Sequence, residues 1–185
     1  TLYNGDGARL GDADQLLSST KVPVSGRLKL TALDLETIFG VEPWKGPAML
    51  EVSSAGSFDL MGKLVSPSRL VSNTNCVRQT QAHNGEGFDS PNFTYVRFIN
   101  IGSSAISNIT ATMTDDNGDV VGVAETEVLA SLAPKAATWL NRDQLSDLFE
   151  TWNGEATLTV VNGSPDLRLL NLNLVNNETF FNFSC

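Results

Sequence analysis

Short runs in which apolar and polar residues alternate recur along the chain, and they predict strands. The predicted strands of the second half are 93–101, 106–114, 120–128, 155–161, 170–174 and 179–183. In 170–174 leucine and asparagine alternate strictly, which indicates a strand with one buried and one wet face. Asn117 and Gly118 supply the positive φ angles that a tight hairpin turn needs. The pattern is typical of a mostly β protein.

Two short helical patterns interrupt the strands. Asn141 can cap the first turn of one helix and Gln144, three residues later, can close a capping box. Thr31 and Asp34 predict the same start for an earlier helix, and Gly40 predicts its end. The apolar faces predicted to pack into the core are Leu35, Ile38 and Phe39 in the earlier helix and Leu145, Leu148 and Phe149 in the later one. Each helix is expected to cross between two sheets.

The chain contains an internal repeat. The matching segments, in the same order, are 1–11 with 112–122, 35–39 with 145–149, 44–52 with 152–160, and 73–76 with 182–185. An ordered series of this kind predicts two tandem antiparallel β-sandwich units, each with one short crossover helix. The first unit is predicted at 1–76 and the second at 92–185. The segment 77–91, with its glycines, polar residues and a proline, predicts a linker.

The first unit lacks a strand that the second unit has. The second unit opens with the strand 93–101, whereas the first begins at the equivalent of Thr112, so an opening strand and its connection, roughly twenty residues, are missing. A sandwich without that strand exposes apolar surface and unpaired backbone groups. Three fillers are open: residues upstream of Thr1 (the chain has no initiator Met), the segment 92–111 of the same chain, or a strand from a neighbouring subunit. The residues of the expected assembly strand are Phe93, Tyr95, Val96, Phe98 and Ile99.

Charge excludes some classes of partner. The 185 residues include 12 Lys+Arg against 21 Asp+Glu, a formal net charge of −9. Such a chain lacks the basic surface that nucleic acid or an anionic membrane would attract. No apolar run approaches the roughly 20 residues of a spanning helix, so no membrane insertion is expected. The 41% hydrophobic content is that of a folded core.

Four carboxylates lie beside glycine turns and are candidates for a Ca²⁺ site: Asp6, Asp115, Asp116 and Asp119. Aspartate is also what such turns need for their own hydrogen bonds, and the spacing lacks the distal Glu of an EF-hand loop. No metal site is therefore expected. No phosphate-binding or dinucleotide-binding glycine motif is present, so no cofactor is expected either.

Two cysteines, Cys76 and Cys185, occupy corresponding ends of the repeat. They fit one disulfide of a secreted protein, within the chain or between subunits, and they also fit two thiols of a cytosolic one. Cys76, His83 and Glu86 could form a nucleophile set. They are crowded into the predicted linker with nothing rigid to orient them, and the protein is therefore not expected to be an enzyme.

The stretches 95–103 and 115–122 resemble the tandem Ig-like β-sandwich modules of bacterial secreted and surface proteins, which carry a VRFxN-G opening strand and a DxxGxxxG hairpin. The resemblance implies an extracellular or cell-surface setting and a structural or adhesive role. It brings no catalytic residues.

These observations together favour a structural subunit of a bacterial surface fibre that assembles with itself through edge strands. The alternative function is a module that binds a carbohydrate or a host surface. In that case an exposed aromatic pair should line a groove, with Trp44, Trp139 and Trp152 as candidates.

Overall fold

The computed structural model describes residues 1–65, 71–73, 77 and 81–182, and these residues form mostly antiparallel β-sheet with two short helices. The N-terminal part (1–65 and 71–73) contains β1 (Leu2–Asn4), β2 (Arg9–Leu10), α1 (Ala32–Phe39), β3 (Ala48–Leu50), β4 (Lys63–Val65) and β5 (Val71–Asn73). The C-terminal part (81–182) contains β6 (Gln81–Glu86), β7 (Phe93–Asn100), β8 (Ile106–Asp115), β9 (Thr126–Leu132), β10 (Ala137–Asn141), α2 (Arg142–Phe149), β11 (Glu155–Val160), β12 (Leu167–Val175) and β13 (Thr179–Asn182). The predicted mostly β class is confirmed.

The main core lies between two four-stranded sheets of the C-terminal part. One sheet has the order β10-β7-β12-β13 and the other β6-β11-β8-β9. Alternate residues of β7 and β11 point inward, and both sheets contribute to one buried cluster that includes Phe98, Leu169, Met113 and Leu158. Helix α2 connects β10 of the first sheet to β11 of the second and buries Leu145 and Phe149 in the same cluster.

Both predicted helices begin where the capping residues indicate. Thr31 and Asn141 are the N-caps, and each exchanges hydrogen bonds with the third helical residue, Asp34 or Gln144, in a complete capping box. Gly40 ends α1 in the left-handed conformation. The predicted caps of both helices are confirmed.

The N-terminal part forms two smaller sheets. Its three-stranded sheet has the order β2-β1-β3, and its two-stranded sheet pairs β4 with β5. Leu2 and Phe39 are its fully buried apolar side chains. Between Leu10 and α1 the backbone forms turns and irregular structure.

Some sequence-based predictions differ from the structure. The strand predicted at 120–128 is displaced: the structure has β9 at Thr126–Leu132, and Val120 forms only an isolated bridge with Thr114. The segment 77–91, predicted as a linker, contains β6, which pairs with β11 at the edge of the second sheet. An edge strand needs few apolar residues, which is why its polar sequence resembled a linker. The predicted wet face of 170–174 is wrong too, since Asn171 and Asn173 are buried. The division into units 1–76 and 92–185 stays a prediction.

Candidate functional site

The structure of the N-terminal part repeats, strand by strand, a portion of the C-terminal part. In the three-stranded sheet Leu2 pairs with Leu50 and Asn4 with Ala48. The equivalent pairs between β8 and β11 are Met113 with Leu158 and Asp115 with Ala156. The bridge between Tyr3 and Arg9 likewise recurs between Thr114 and Val120. The same register in both places shows that the matched sequences adopt the same local structure.

The hairpin turns of the two parts share the same hydrogen bonds. The Oδ1 atom of Asn4 accepts the N–H groups of Asp6 and Ala8 at 3.0 and 2.9 Å. The Oδ1 atom of Asp115 accepts those of Asn117 and Asp119, both at 2.9 Å. Gly7 and Gly118 both have φ +84°.

The four candidate Ca²⁺ ligands take part in hydrogen bonds in and beside their hairpin turns, and Asp6 lies in a different turn from the other three. The carboxylate of Asp115 is used within its turn, and that of Asp116 accepts the N–H of Glu155 at 3.2 Å. Asp119 and Asp6 contribute backbone N–H groups to the two turns. Within the described ranges, no three His, Cys, Asp or Glu side chains come together in a way that could hold a metal ion.

The hairpin β4–β5 reproduces the hairpin β12–β13. Lys63 pairs with Asn73, as Leu172 pairs with Asn182, and both hairpins continue with the same spacing. In the C-terminal part β12 also pairs along its whole length with β7, which lies between β12 and β10. In the described N-terminal part β4 belongs to a two-stranded sheet, so the counterpart of the central strand β7 is missing there.

The N-terminal equivalents of two further strands, β10 and β9, are irregular. The equivalents of β10 and β9 in the N-terminal part are 27–31 and 16–22, and neither forms a strand. β10 has β7 as its strand partner, and β9 pairs with the stretch 106–111 of β8. Neither partner stretch has a counterpart among the N-terminal residues that the structure describes. A strand without a partner leaves its backbone groups unpaired, which explains the irregular structure.

Three apolar side chains ahead of β4 are exposed in the N-terminal part. Phe58, Leu60 and Met61 are 48%, 48% and 69% exposed. Their equivalents in β12 are Leu167, Leu169 and Leu170, and all three are 0% exposed. Such a concentration of exposed apolar surface is typical of an interaction site.

The two equivalent tryptophans show the same difference. Trp152 is buried in the core, and its indole N–H donates to the carbonyl oxygen of Gly85 in β6 at 3.0 Å. Trp44, its equivalent, is only half-buried, and no counterpart of β6 lies among the described N-terminal residues. The N-terminal part therefore retains a side chain suited to a strand that it does not contain.

The residues of the expected assembly strand all lie in β7. Val96 and Phe98 point into the core, and Phe93, Tyr95 and Ile99 alternate with them on the opposite face. Because β7 is hydrogen-bonded to β10 and β12 on either side, it is a central strand of its own sheet. The segment 92–111 thus completes the C-terminal part and does not fill the gap in the N-terminal part, which removes one of the three fillers.

The two parts meet where β5 lies beside β13 and at a junction between turns. The carbonyl oxygen of Gly5 accepts the N–H of Ala137 at 2.8 Å. Nζ of Lys135 lies 2.8 Å from Oε1 of Glu51 and donates also to the carbonyl oxygen of Ile101 at 2.7 Å. The hydroxyl of Tyr3 donates to the other carboxylate oxygen of Glu51. The hydrogen bond from Lys135 lowers the pKa of Glu51 below its ordinary value of 4.5.

Glu51 gives the junction a dependence on pH. Because its pKa is lower in the folded chain, its ionised form stabilises the junction above pH 4.5, and this contribution is lost as the pH falls through the folded pKa. Since the pair is partly exposed, the contribution is small, about 0.2–1 kcal/mol. Glu51→Gln is therefore expected to speed hydrogen exchange of the Ala137 amide at pH 7 and to have little effect at acidic pH. Exposed Glu42→Gln is the control; equal exchange in both variants at pH 7 would contradict the expectation.

A groove of about 330 Å³ lies at the same junction. Its lining includes Asn4, Asp6, Lys45, Pro47, Thr138 and Trp139. The guanidinium of Arg97 lies over the Trp139 ring, 5.4 Å from its centroid, and burial lowers the pKa of Arg97. An aromatic face beside polar side chains is an arrangement that can stack on a sugar ring.

Two residues that the sequence did not single out hold the C-terminal part together. Nη1 of Arg142 donates to the carbonyl oxygens of Gly87, Ser90 and Asn92 and fastens the loop after β6 to the start of α2. Asn100, fully buried, bonds to four backbone groups. A basic residue directly after the N-cap is a weak sequence signal for the first, and nothing in the pattern indicates the second.

The other predicted chemistry lies outside the described residues. Cys76 and Cys185 belong to the residues that are not described, as does the side chain of His83. The carboxylate of Glu86 accepts a hydrogen bond from the side-chain amide of Asn92 at 3.3 Å. The disulfide and the absence of catalysis both stay predictions.

Neither helix in the described ranges, at eight residues each, has the length and apolar character needed to cross a membrane. No protein-family model, curated protein or solved structure matches this chain.

Proposed function

We propose that this chain is an extracellular structural subunit of a bacterial surface fibre or appendage, which assembles with itself when a strand from another molecule completes the N-terminal part. In this proposal the chain consists of two β-sandwich units, of which the first is incomplete. The complete unit includes β6, so that strand opens the second unit. The resemblance of 95–103 and 115–122 to modules of secreted and surface proteins supports the extracellular setting.

One observation carries the proposal. The hairpin β4–β5 has the register of β12–β13, yet no strand equivalent to β7 lies beside it among the described residues. An added strand would supply backbone partners to β4 and to 27–31 together, next to the exposed apolar side chains of Phe58, Leu60 and Met61. Main-chain hydrogen bonds and alternate side-chain pockets are how strand addition obtains affinity and specificity.

A self-complemented variant tests the proposal. A second copy of 81–111 is fused ahead of Thr1, so that the chain supplies its own strand. In about 0.5 M NaCl, where the Debye length is about 4 Å and contacts between surface charges are screened, the original chain is expected to form polymers and the fused chain to be monomeric. Light scattering and electron microscopy measure the difference. A monomeric original chain under these conditions would overturn the proposal.

A peptide with the sequence 93–101 gives a second readout. It is expected to shorten the polymers and to raise the unfolding temperature of the N-terminal part by at least about 5 °C. The matched control peptide carries Asp in place of Val96 and Phe98, the two side chains that point into the core. Because these charges could not be buried, the control peptide should have no effect.

The groove at Trp139 favours carbohydrate binding as a second candidate function. Trp152 is buried and Trp44 lies outside this groove, so Trp139 is the tryptophan placed to stack on a sugar. An oligosaccharide that binds there should shift the tryptophan fluorescence, and Trp139→Ala should abolish the shift whereas Trp44→Ala should not. No shift with any member of a broad oligosaccharide panel would remove this candidate.

A further inference from the structure

The junction inside the chain joins two turns. The first is the hairpin turn 4–8, whose Gly5 carbonyl oxygen accepts the N–H of Ala137. The second is the turn 133–137, and the two approach so closely that a Cβ atom at Gly7 would lie 2.0 Å from the carbonyl oxygen of Pro134. The turn 4–8 is therefore called the inserting turn, and the turn 133–137 the receiving turn.

Each of these turns has an equivalent in the other part of the chain. The turn 115–119 reproduces the hydrogen bonds of the inserting turn. The turn 23–27 reproduces the receiving turn: the N–H of Gly26 donates to the carbonyl oxygen of Pro23, as that of Ala136 does to Ala133. Ser25 has φ +59°, close to the φ of +60° at its equivalent, Lys135.

Both equivalents are exposed. A Cβ atom at Gly118 would meet nothing within 4 Å, although Gly118 has the same φ as Gly7. Val24, at the tip of the turn 23–27, is 98% exposed. Among the described residues, the chain thus carries a second inserting turn and a second receiving turn that are not joined.

The two exposed turns carry opposite charge. Asp116 and Asp119 are exposed on the turn 115–119, where the inserting turn has Gly5 and Ala8. Three basic residues lie in and beside the turn 23–27, namely Lys21, Arg27 and Lys29, and all three are exposed. Opposite charges on two surfaces that meet steer and orient their association.

The added side chains fit the contact already present. A Cβ atom at Gly5 would meet Pro47 of its own part, 2.9 Å away, and no atom of the receiving turn is among its nearest neighbours. An aspartate at the equivalent position, Asp116, is therefore compatible with the same approach. The backbone N–H of Arg27 takes the place of that of Ala137.

We propose that the turn 115–119 of one molecule docks on the turn 23–27 of a second copy of this chain, in the arrangement that turns 4–8 and 133–137 adopt within the chain. The contact goes beyond the proposed function, because strand complementation fills a sheet whereas this contact joins two turns. Different surfaces of the chain meet in it, so it is heterologous and leaves a free turn at each end. Repetition of such a contact produces an open filament, or a ring where the rotation between copies closes.

Charge-reversed variants test this contact. Asp116→Lys with Asp119→Lys changes the inserting turn, and Arg27→Glu with Lys29→Glu changes the receiving turn. At about 0.01 M salt, where the Debye length is about 30 Å, each double variant alone is expected to self-associate more than about tenfold more weakly than the original chain. Mixing the two double variants should restore association. Exposed Glu127→Lys with Glu178→Lys changes the net charge by the same amount and in the same direction as the first double variant; it is the control for that variant and should associate no more weakly than the original chain.

Sedimentation velocity on the self-complemented chain separates this proposal from strand complementation. That chain retains both turns and is expected to keep its salt-sensitive association even though its N-terminal sheet is filled. The proposed turn contact would be overturned if neither double variant associated more weakly than the original chain, or if a mixture of the two variants did not regain association. Circular dichroism of each variant verifies folding, and the recovery in the mixture can occur only if both variants are folded.

Discussion

Gly122→Ala is expected to prevent the C-terminal part from folding. Gly122 has φ +68°, and a Cβ atom there would lie 1.5 Å from the carbonyl oxygen of Phe149. The obstacle is the backbone at the last residue of α2, whose Phe149 side chain is buried in the core, so no flexible side chain can move aside. Separation of the two segments would cost more than about 4 kcal/mol, a large share of the 5–15 kcal/mol typical of a folded domain.

Two glycines provide controls for the backbone conformation alone. Gly40 has φ +63° and Gly118 φ +84°, but a Cβ atom at either would meet nothing within 4 Å. Alanine at these positions should cost about 1–2 kcal/mol, the strain of the left-handed region. Urea unfolding of the three variants measures the difference. A Gly122→Ala variant as stable as the two controls would show that the close approach to Phe149 is not required.

Gly11→Ala should repeat the effect in the N-terminal part only. Gly11 is the equivalent of Gly122, and a Cβ atom there would lie 2.0 Å from the carbonyl oxygen of Phe39. The main buried cluster draws its residues from the C-terminal part, so its stability does not depend on this contact. Hydrogen exchange should therefore accelerate at Leu2 and Leu50 and stay slow at Phe98.

Local features were predictable from the sequence. The capping boxes at Thr31 and Asn141 depend on side chains within a few residues of each other. The predicted hairpin turn is present, but of the two residues expected to have positive φ only Gly118 does, and Asn117 does not. The repeat predicts that the first unit lacks an opening strand, and this stays a prediction; among the described N-terminal residues β4 belongs to a two-stranded sheet. Each of these features depends on neighbouring residues or on an ordered match between two segments of the sequence. It can therefore be predicted without knowledge of distant contacts.

Features that depend on distant partners were not predictable. β6 is a strand because β11 offers it an edge, although its own residues are polar. Asn171 and Asn173 are buried because β12 is a central strand covered on both faces, and alternation cannot show which faces are covered. The irregular structure of 16–22 and 27–31 likewise follows from partners that are missing elsewhere, since a strand forms only where its backbone groups are paired.

Asn100 is a buried side chain with hydrogen-bond partners that are distant in sequence, and its substitution is expected to have a large effect on stability. Its side-chain amide donates to the carbonyl oxygens of Ser104, Leu132 and Ala133 at 2.8, 3.1 and 3.0 Å. Its Oδ1 atom accepts the N–H of Gly102 at 2.9 Å. One buried side chain thus joins the end of β7 to its following turn and to the end of β9 in the opposite sheet.

Asn100→Leu is expected to destabilise the C-terminal part by about 3–5 kcal/mol, because it leaves several buried backbone groups without partners. Asn100→Asp separates the donor role from the shape, since it retains an acceptor but loses the amide donors and places a charge in the core. Burial should raise the pKa of this carboxyl, so the stability of the Asp variant should increase as the pH falls through that pKa, when the protonated group can donate again. Denaturant unfolding at several pH values measures both effects. A Leu variant as stable as the original chain, or an Asp variant whose stability does not rise on acidification, would contradict this role, which holds the two sheets together at one end of the core.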